Sequence, residues 1–216
     1  MIEDLPPVVV AEHFRRPRPG QLAALVGAMT GHVADALGGR GGFDYRIKPV
    51  IDGQSSFCAV ALTCDAGPAD NLAVFTALGH LQDGDVIVAA TGAHTGCAVA
   101  GDLLLGMARN GGALAFVTDG CVRDLPGIRA VGLPCFAMGV TPNSPAREGP
   151  GRVGFPVVIG GVVVASGDIL IGDQDGVVVV PFDRIDEAIA GLTRVREAEA
   201  AFEARVAAGL RTLPAG

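Results

Sequence analysis

Apolar residues recur at two different spacings along this 216-residue chain, and the change of spacing divides it. Leu22, Leu25, Val26, Met29, Val33 and Leu37 stand three or four apart, which predicts a helix from about Pro19 to Leu37, closed by Gly38-Gly39. GGRGGFDY is then a loop, and SFCAVALTC (56–64) is a near-continuous apolar run, the pattern of a strand covered on both faces. Asp70-Asn71 caps a helix through His80, and Asp83-Gly84 turns into a second buried strand, DVIVAAT (85–91). After the TGAHTG loop a helix is predicted from about Ala98 to Asn110, with Gly111-Gly112 in the C-cap role. Strand ALAFVT (113–118), a short helix near Leu125–Val131 and strand PCFAMG (134–139) follow. The order β-α-β-α-β-α-β implies parallel strands with right-handed crossovers.

Beyond this the pattern changes. Residues 141–155 (TPNSPAREGPGRVGF) are rich in Pro, Gly and Ser and read as an exposed loop. FPVVI, GVVVAS, DILIGD and GVVVVP are then separated by tight turns with no room for a crossover helix, so these strands are antiparallel or mixed. An amphipathic, Glu/Arg-rich helix runs from Asp183 to about Ala208. The expectation is one α/β domain over 1–216, with a parallel half and a β-meander half stacked as a β/β sandwich and helices outside. Residues 1–18 form an N-terminal arm and 183–208 the C-terminal helix.

Composition narrows the function classes. Half the residues are apolar and 18% are charged, enough for a large core and too few for disorder. The net charge is −7, and the only basic cluster is HFRRPRP (13–19), which reads as a solvated arm; nucleic-acid binding has no support. The N-terminus MIEDLPPVVVAEHF carries acids where a signal peptide has basic residues, and no apolar run reaches the ~18 residues of a membrane helix, so a cytoplasmic protein without membrane contact is expected. Five cysteines (58, 64, 97, 121 and 135) lack CxxC spacing and read as reduced core residues, with Cys97 and Cys121 close to the candidate site. The four histidines show no HxH or HExxH pattern, which argues against a histidine-built zinc site.

Ligands of α/β sheets sit at the carboxyl ends of parallel strands, where loops and helix N-termini converge. Two such ends carry chemistry. VIVAATGAHTGCAVAGDLLL runs through a glycine loop into a helix whose early amides, around Gly101 and Asp102, form a cradle for a carboxylate or phosphate. AFVTDGCVRD delivers Arg123 and Asp124 to the same edge if the two strands are neighbours. Neither GxGxxG nor GxxxxGK[ST] is present, so nucleotide binding has no support. Alone, Arg123-Asp124 reads more readily as a turn-stabilising ion pair than as a site. Taken with Asp102, the set suits a small α-keto acid held with a divalent cation, because Mg²⁺ and Mn²⁺ prefer carboxylate oxygens and a guanidinium matches a carboxylate or enolate oxygen.

VADAL (33–37), DNLAVFTAL (70–78), GDLL (101–104), DGCVRD (119–124), LPCFAMGVTP (133–142) and GDILIGDQDGVVVVP (167–181) carry a resemblance that covers most of the chain. The sequence resembles the family of ribonuclease-activity regulator A (RraA-like) proteins and class II 4-hydroxy-4-methyl-2-oxoglutarate/4-carboxy-4-hydroxy-2-oxoadipate aldolases. The most specific element is an Asp, twenty residues and then Arg-Asp, met by Asp102, Arg123 and Asp124. The resemblance implies an α/β/β/α sandwich similar to swivelling phosphohistidine domains, assembled as a homotrimer or dimer of trimers with sites between subunits. It implies Asp124 as the direct ligand of Mg²⁺ or Mn²⁺, Asp102 as holder of the surrounding waters, and Arg123 facing the C2 oxygen as pyruvate enolate forms. The amides of Gly101, Asp102, Leu103 and Leu104 take the substrate carboxylate. A Glu of a neighbouring subunit's C-terminal helix completes the site; register against Gly209 favours Glu199 over Glu197 and Glu203. The activity so implied is retro-aldol cleavage of a 4-hydroxy-2-oxo acid to pyruvate and a second keto acid, with oxaloacetate decarboxylation as a side activity. The rival reading is a non-catalytic regulator that binds RNA-degradation enzymes. Lys48, the only lysine, lies outside these motifs, so a Schiff-base route has no support. His94, in the glycine loop, reads as an exposed loop residue.

Overall fold

A computed structural model describes residues 7–212 of the chain. Residues 1–6 of the predicted arm lie outside the described residues. In chain order the elements are β1 (Val8–Val10), α1 (Pro19–Leu25), α2 (Thr30–Ala36), β2 (Lys48–Pro49), β3 (Phe57–Asp65), α3 (Leu72–Leu78), β4 (Asp85–Ala90) and β5 (Ala98–Ala100). There follow α4 (Asp102–Asn110), β6 (Ala115–Thr118), β7 (Cys121–Val122), α5 (Leu125–Val131), β8 (Cys135–Ala137), β9 (Gly139–Val140) and β10 (Gly151–Val153). The chain closes with β11 (Val157–Ile159), β12 (Val162–Val164), β13 (Ile169–Asp173), β14 (Gly176–Val180) and α6 (Ile185–Ala207).

Strands β3, β4, β6 and β8 are parallel neighbours in that order, as the sequence pattern implies. Their alternating side chains explain why both faces are apolar. Leu62, Ile87, Ala89 and Phe116 face α3, α4 and α5, whereas Ala61, Val86, Val88 and Val117 face the other way. There they meet Leu170 of β13 and Val177 and Val179 of β14. The outer faces of β13 and β14, through Ile169, Ile171, Val178 and Val180, pack on α1, α2 and α6. Three apolar seams therefore separate four layers, the expected α/β/β/α sandwich. The two β layers are continuous: β13 pairs antiparallel with the first half of β3, from Phe57 to Val60, and β10 with its end at Cys64 and Asp65.

The structure corrects three local expectations. The Pro19–Leu37 helix is two helices, broken where Gly27 takes φ +74°. Asp173, at the end of β13, accepts from the Thr30 amide and hydroxyl, each at 2.8 Å, and so starts α2 afresh; Val26 and Met29, counted in the apolar stripe, are exposed. The Ala98–Asn110 helix begins only at Asp102, because Ala98–Ala100 is a strand of a small sheet ordered β5-β7-β9. The basic arm is not simply solvated. Arg15 and Arg18 reach Asp183 and Asp186 on the surface, but Arg16 pairs with the buried carboxylate of Asp85 at the start of β4. No described helix is long and apolar enough to cross a membrane.

Burial holds the Asp85 carboxyl above its usual range, opposed by the Gln82 amide and the Arg16 guanidinium. Arg16→Ala strands that charge and should cost about 2–3 kcal/mol at pH 7. A carboxyl whose folded pKa is raised favours the folded state in its protonated form, so its penalty grows as pH rises through that pKa. The deficit of the variant should therefore shrink toward pH 4, a trend that urea unfolding at both pH values measures directly.

Candidate active site

The register of β4 with β6 pairs Ala89 with Thr118, so the residues that follow both strands leave the sheet side by side. Asp119, 4% exposed, ties them together. Its Oδ1 accepts from the Thr91 amide (2.7 Å) and hydroxyl (2.9 Å), and its Oδ2 from the Ala93 amide (2.9 Å). The carboxylate thus braces the neighbouring glycine loop. Gly120 is needed here because a Cβ would stand 2.9 Å from the Thr91 hydroxyl. Beyond the brace the two chain segments pair again, Ala98 with Cys121 and Ala100 with Val122, and the Arg123 amide donates to Ala100 O at 3.1 Å.

This second pairing brings the predicted residues together. Gly101 is the N-cap of α4, and Asp124, the N-cap of α5, sits in the left-handed region at φ 64°, ψ 45°. A Cβ on Gly101 would lie 2.5 Å from Asp124 Oδ2 and 3.2 Å from Arg123 Cγ, so glycine is what lets strand and side chains meet. A non-glycine residue in that region costs about 1 kcal/mol or more, and such strain concentrates at functional sites. Asp102 presses on Gly127 of α5, where a Cβ would clash with its carboxylate, and its Oδ1 accepts from the Leu103 amide at 2.7 Å. Arg123 Nε stands 3.3 Å from Asp124 Oδ2, and its Nη1 donates to Ser144 Oγ at 2.6 Å. The Arg123-Asp124 pair is thus made, but both side chains are near 40% exposed, and such pairs contribute little to stability.

Around these groups lies a cleft of about 140 Å³, lined by residues 98–104, Arg123, Asp124, Asn71, Phe75 and Arg147. At about 30 Å³ per water the volume holds four or five water-sized groups, the scale of a small organic acid. The first-turn amides of α4 face no intrahelical acceptor and carry the positive end of the helix dipole.

Asn71, Phe75, Ser144 and Arg147 were not among the candidate residues. They arrive because Asp70 is more than a cap. Its Oδ1 accepts from the Leu72 amide (2.8 Å), while its Oδ2 takes the amides of Glu148 (2.7 Å) and Gly149 (3.1 Å). Asn71 N to Ala146 O (3.1 Å) and Ala146 N to Ala69 O (2.8 Å) complete the seam, which lays the 141–150 loop along the cleft. No local spacing could reveal a pairing seventy-eight positions apart; the hint was the unexplained charge of Arg147 in a Pro/Gly-rich stretch.

Other candidates fall elsewhere. Glu197, Glu199 and Glu203 lie on α6, and none lines this chain's own cleft; Glu199 instead meets His32 of α2. His94 is half-buried against Gly96 and stands outside the cleft. All five cysteines are free thiols, four of them buried. Burial pushes Cys58 up to about 11 and Cys135 to about 12, and it raises Cys64, Cys97 and Cys121 as well, in keeping with core residues. Among the described residues no three His, Cys, Asp or Glu side chains gather into a metal-binding group. Any cation at the cleft would draw its protein oxygens from the pair Asp102 and Asp124.

The chain is a layered α/β/β/α protein with a guanidinium and two carboxylates gathered where its parallel strands end. The chain belongs to the RraA-like (Aldolase/RraA) family, whose model matches residues 30–179. A relative from Halalkalibacterium halodurans, named "Putative 4-hydroxy-4-methyl-2-oxoglutarate aldolase", is 37% identical over 149 residues, 69% of this chain and 70% of the relative. An uncharacterized Pseudomonas syringae protein of known structure shares the fold, with a TM-score of 0.81, 24% identity and coverage of 93% of this chain and 94% of that one. A Streptomyces coelicolor structure, described as an unusual member of the RNase ES inhibitor RraA protein family, superposes with a TM-score of 0.73 at 27% identity, covering 88% and 100% of the two chains.

Asp119→Ala would leave the Thr91 and Ala93 amides without acceptors, at a cost of about 3 kcal/mol. Amide hydrogen exchange should accelerate first across residues 91–97 and 119–124; protection retained there would show that the brace is not what holds the two ends together.

Proposed function

We propose that this chain is a divalent-metal-dependent aldolase that cleaves a 4-hydroxy-2-oxo acid to pyruvate and a second keto acid, and that it also decarboxylates oxaloacetate. The observation that carries this reading is the convergence of Asp102, Arg123 and Asp124 over the bare Gly101 backbone, at the N-terminus of α4. The aldolase name of the Halalkalibacterium halodurans relative supports the same chemistry.

The donor set fits Mg²⁺ or Mn²⁺: two carboxylates and no soft ligands line the cleft. Asp124 would be the direct ligand and Asp102 would act through water, and the cation, when bound, supplies a Lewis acid that polarises the 2-keto group. The substrate carboxylate docks on the first-turn amides of α4, where Leu103 is already shared with Asp102 and Leu104 is the uncommitted donor. Arg123 is anchored at Nε by Asp124 and at Nη1 by Ser144, which leaves Nη2 to donate to the 2-keto oxygen. Asp102 orients the water that takes the C4 hydroxyl proton. As the C4 carbonyl forms, the C3–C4 electron pair moves into a C2–C3 enolate, whose oxygen Arg123 stabilises. Protonation at C3 then yields pyruvate. In a homotrimer or dimer of trimers, Glu199 of one copy's α6 would complete the cleft of the next.

The test is pyruvate release from 4-hydroxy-4-methyl-2-oxoglutarate and from oxaloacetate, with and without Mg²⁺ or Mn²⁺. Metal-dependent pyruvate is the expected result, and none from either compound overturns the reading. Arg123→Ala should lower kcat by a factor on the order of 10²–10³, with far-UV circular dichroism and Tm close to those of the parent. Gly101→Ala should keep the fold but push the Asp124 carboxylate aside, giving a comparable loss together with weaker Mn²⁺ binding by titration calorimetry.

A further inference from the structure

Arg123 has two side-chain anchors, and they differ in charge. Its Nε faces the Asp124 carboxylate at 3.3 Å, whereas its Nη1 donates to a neutral oxygen, the hydroxyl of Ser144, at 2.6 Å. Ser144 is exposed, yet its position is built. Just before it the Thr141 amide donates to Val122 O at 3.0 Å, and the Ala98 amide donates to Asn143 O at 2.9 Å. Asn143 Nδ2 also donates to Gly96 O at 2.9 Å. Pro142 and Pro145 restrict the backbone on either side. These bonds run to β5, β7 and the end of the glycine loop, the same segments that lead into Gly101 and Arg123, so Ser144 is held in register with the guanidinium. A carboxylate anchor orients a guanidinium and cancels much of its charge; a hydroxyl orients it and leaves the charge in place. The carboxylate anchor is also the less durable one. Asp124 is the proposed direct cation ligand, and an oxygen committed to a cation is a poorer acceptor for Arg123 Nε.

We infer that Ser144 is the positioning residue that keeps Arg123 aimed at the C2 oxygen once Asp124 is committed to a cation, and that its neutrality reserves the positive charge for the enolate. The inference rests on the aldolase reading and deepens it. It separates holding the keto acid, which the first-turn amides of α4 do, from stabilising the enolate, which depends on how Arg123 is held. Loss of the hydroxyl should therefore act on the charge that develops at the C2 oxygen and leave ground-state binding nearly as it was.

Titration calorimetry in Mn²⁺ tests this with two probes: pyruvate, a ground-state keto acid, and oxalate, a planar dianion that stands in for pyruvate enolate. The quantity read is the dissociation constant of pyruvate divided by that of oxalate. Ser144→Ala should lower this ratio roughly tenfold, almost wholly through weaker oxalate binding. Ser144→Thr keeps the hydroxyl and should restore the parent ratio to within about twofold. Ser144→Asp keeps an acceptor but adds a charge, and should lower the ratio at least as far as Ser144→Ala. A part merely in holding the loop would weaken both probes by one factor; a Ser144→Ala ratio within about twofold of the parent, or a Ser144→Asp variant that keeps the parent's preference, overturns the inference. Those results leave the aldolase reading standing. A parent chain that binds oxalate no more tightly than pyruvate instead sinks enolate stabilisation by Arg123, and the role of Ser144 falls with it.

Discussion

The molecule is organised by the buried carboxylate of Asp119. Strands β4 and β6 are parallel neighbours, but parallel pairing stops at Ala89 and Thr118, and past that point each chain end could diverge. Asp119 prevents this by accepting three hydrogen bonds from Thr91 and Ala93. The short β5–β7 pairing is then possible, and it sets Gly101 against Asp124. Without the brace the site would be two loops; with it, the site inherits the rigidity of the central sheet.

That dependence explains how a half-exposed constellation can be well ordered. The Arg123–Asp124 contact alone is too solvated to fix anything. Its geometry comes from backbone: the Arg123 amide on Ala100, the left-handed Asp124 whose carbonyl starts α5 by accepting from Ile128, and the glycine that admits both side chains. Strain at Asp124 is offset by the helix it begins. Arg123 and Asp124 can then stay open to solvent, because their own contact is not what holds the fold.

The layered fold was legible because the central strands β3, β4, β6 and β8 are apolar on both faces, as only strands sandwiched between two apolar layers are. Arg123 and Asp124 stood out for a related reason, because they follow a buried strand closely, where charged residues need a local role; Asp102 stood out at the start of a helix entered from a glycine loop. What escaped were features fixed by partners far along the chain. The helix break at Gly27 depends on Asp173, which no helical period contains. The pairing of Arg16 with Asp85 joins an arm to a strand start sixty-nine residues on. The Asp70 seam that brings Arg147 to the cleft is of the same kind: Asp70-Asn71 reads as a cap, and the structure makes Asn71 the N-cap while Asp70 takes the Leu72 amide on one oxygen and the loop amides on the other.

Fold and family do not by themselves fix function, and relatives of this chain carry both aldolase and RNase-inhibitor names. The surroundings of Asp102, Arg123 and Asp124 therefore matter as much as those three residues. The two walls of the cleft differ in how they are held. One, from Gly101 to Asp124, is an extension of the sheet and can hardly move without the core. The other, the 141–150 loop, is tied on by one carboxylate and a few amides, so its side chains can be exchanged with little consequence for the four-layer core. A chain that keeps the rigid wall and varies the loop would keep the geometry of Gly101, Asp102, Arg123 and Asp124 while changing the side chains presented opposite them.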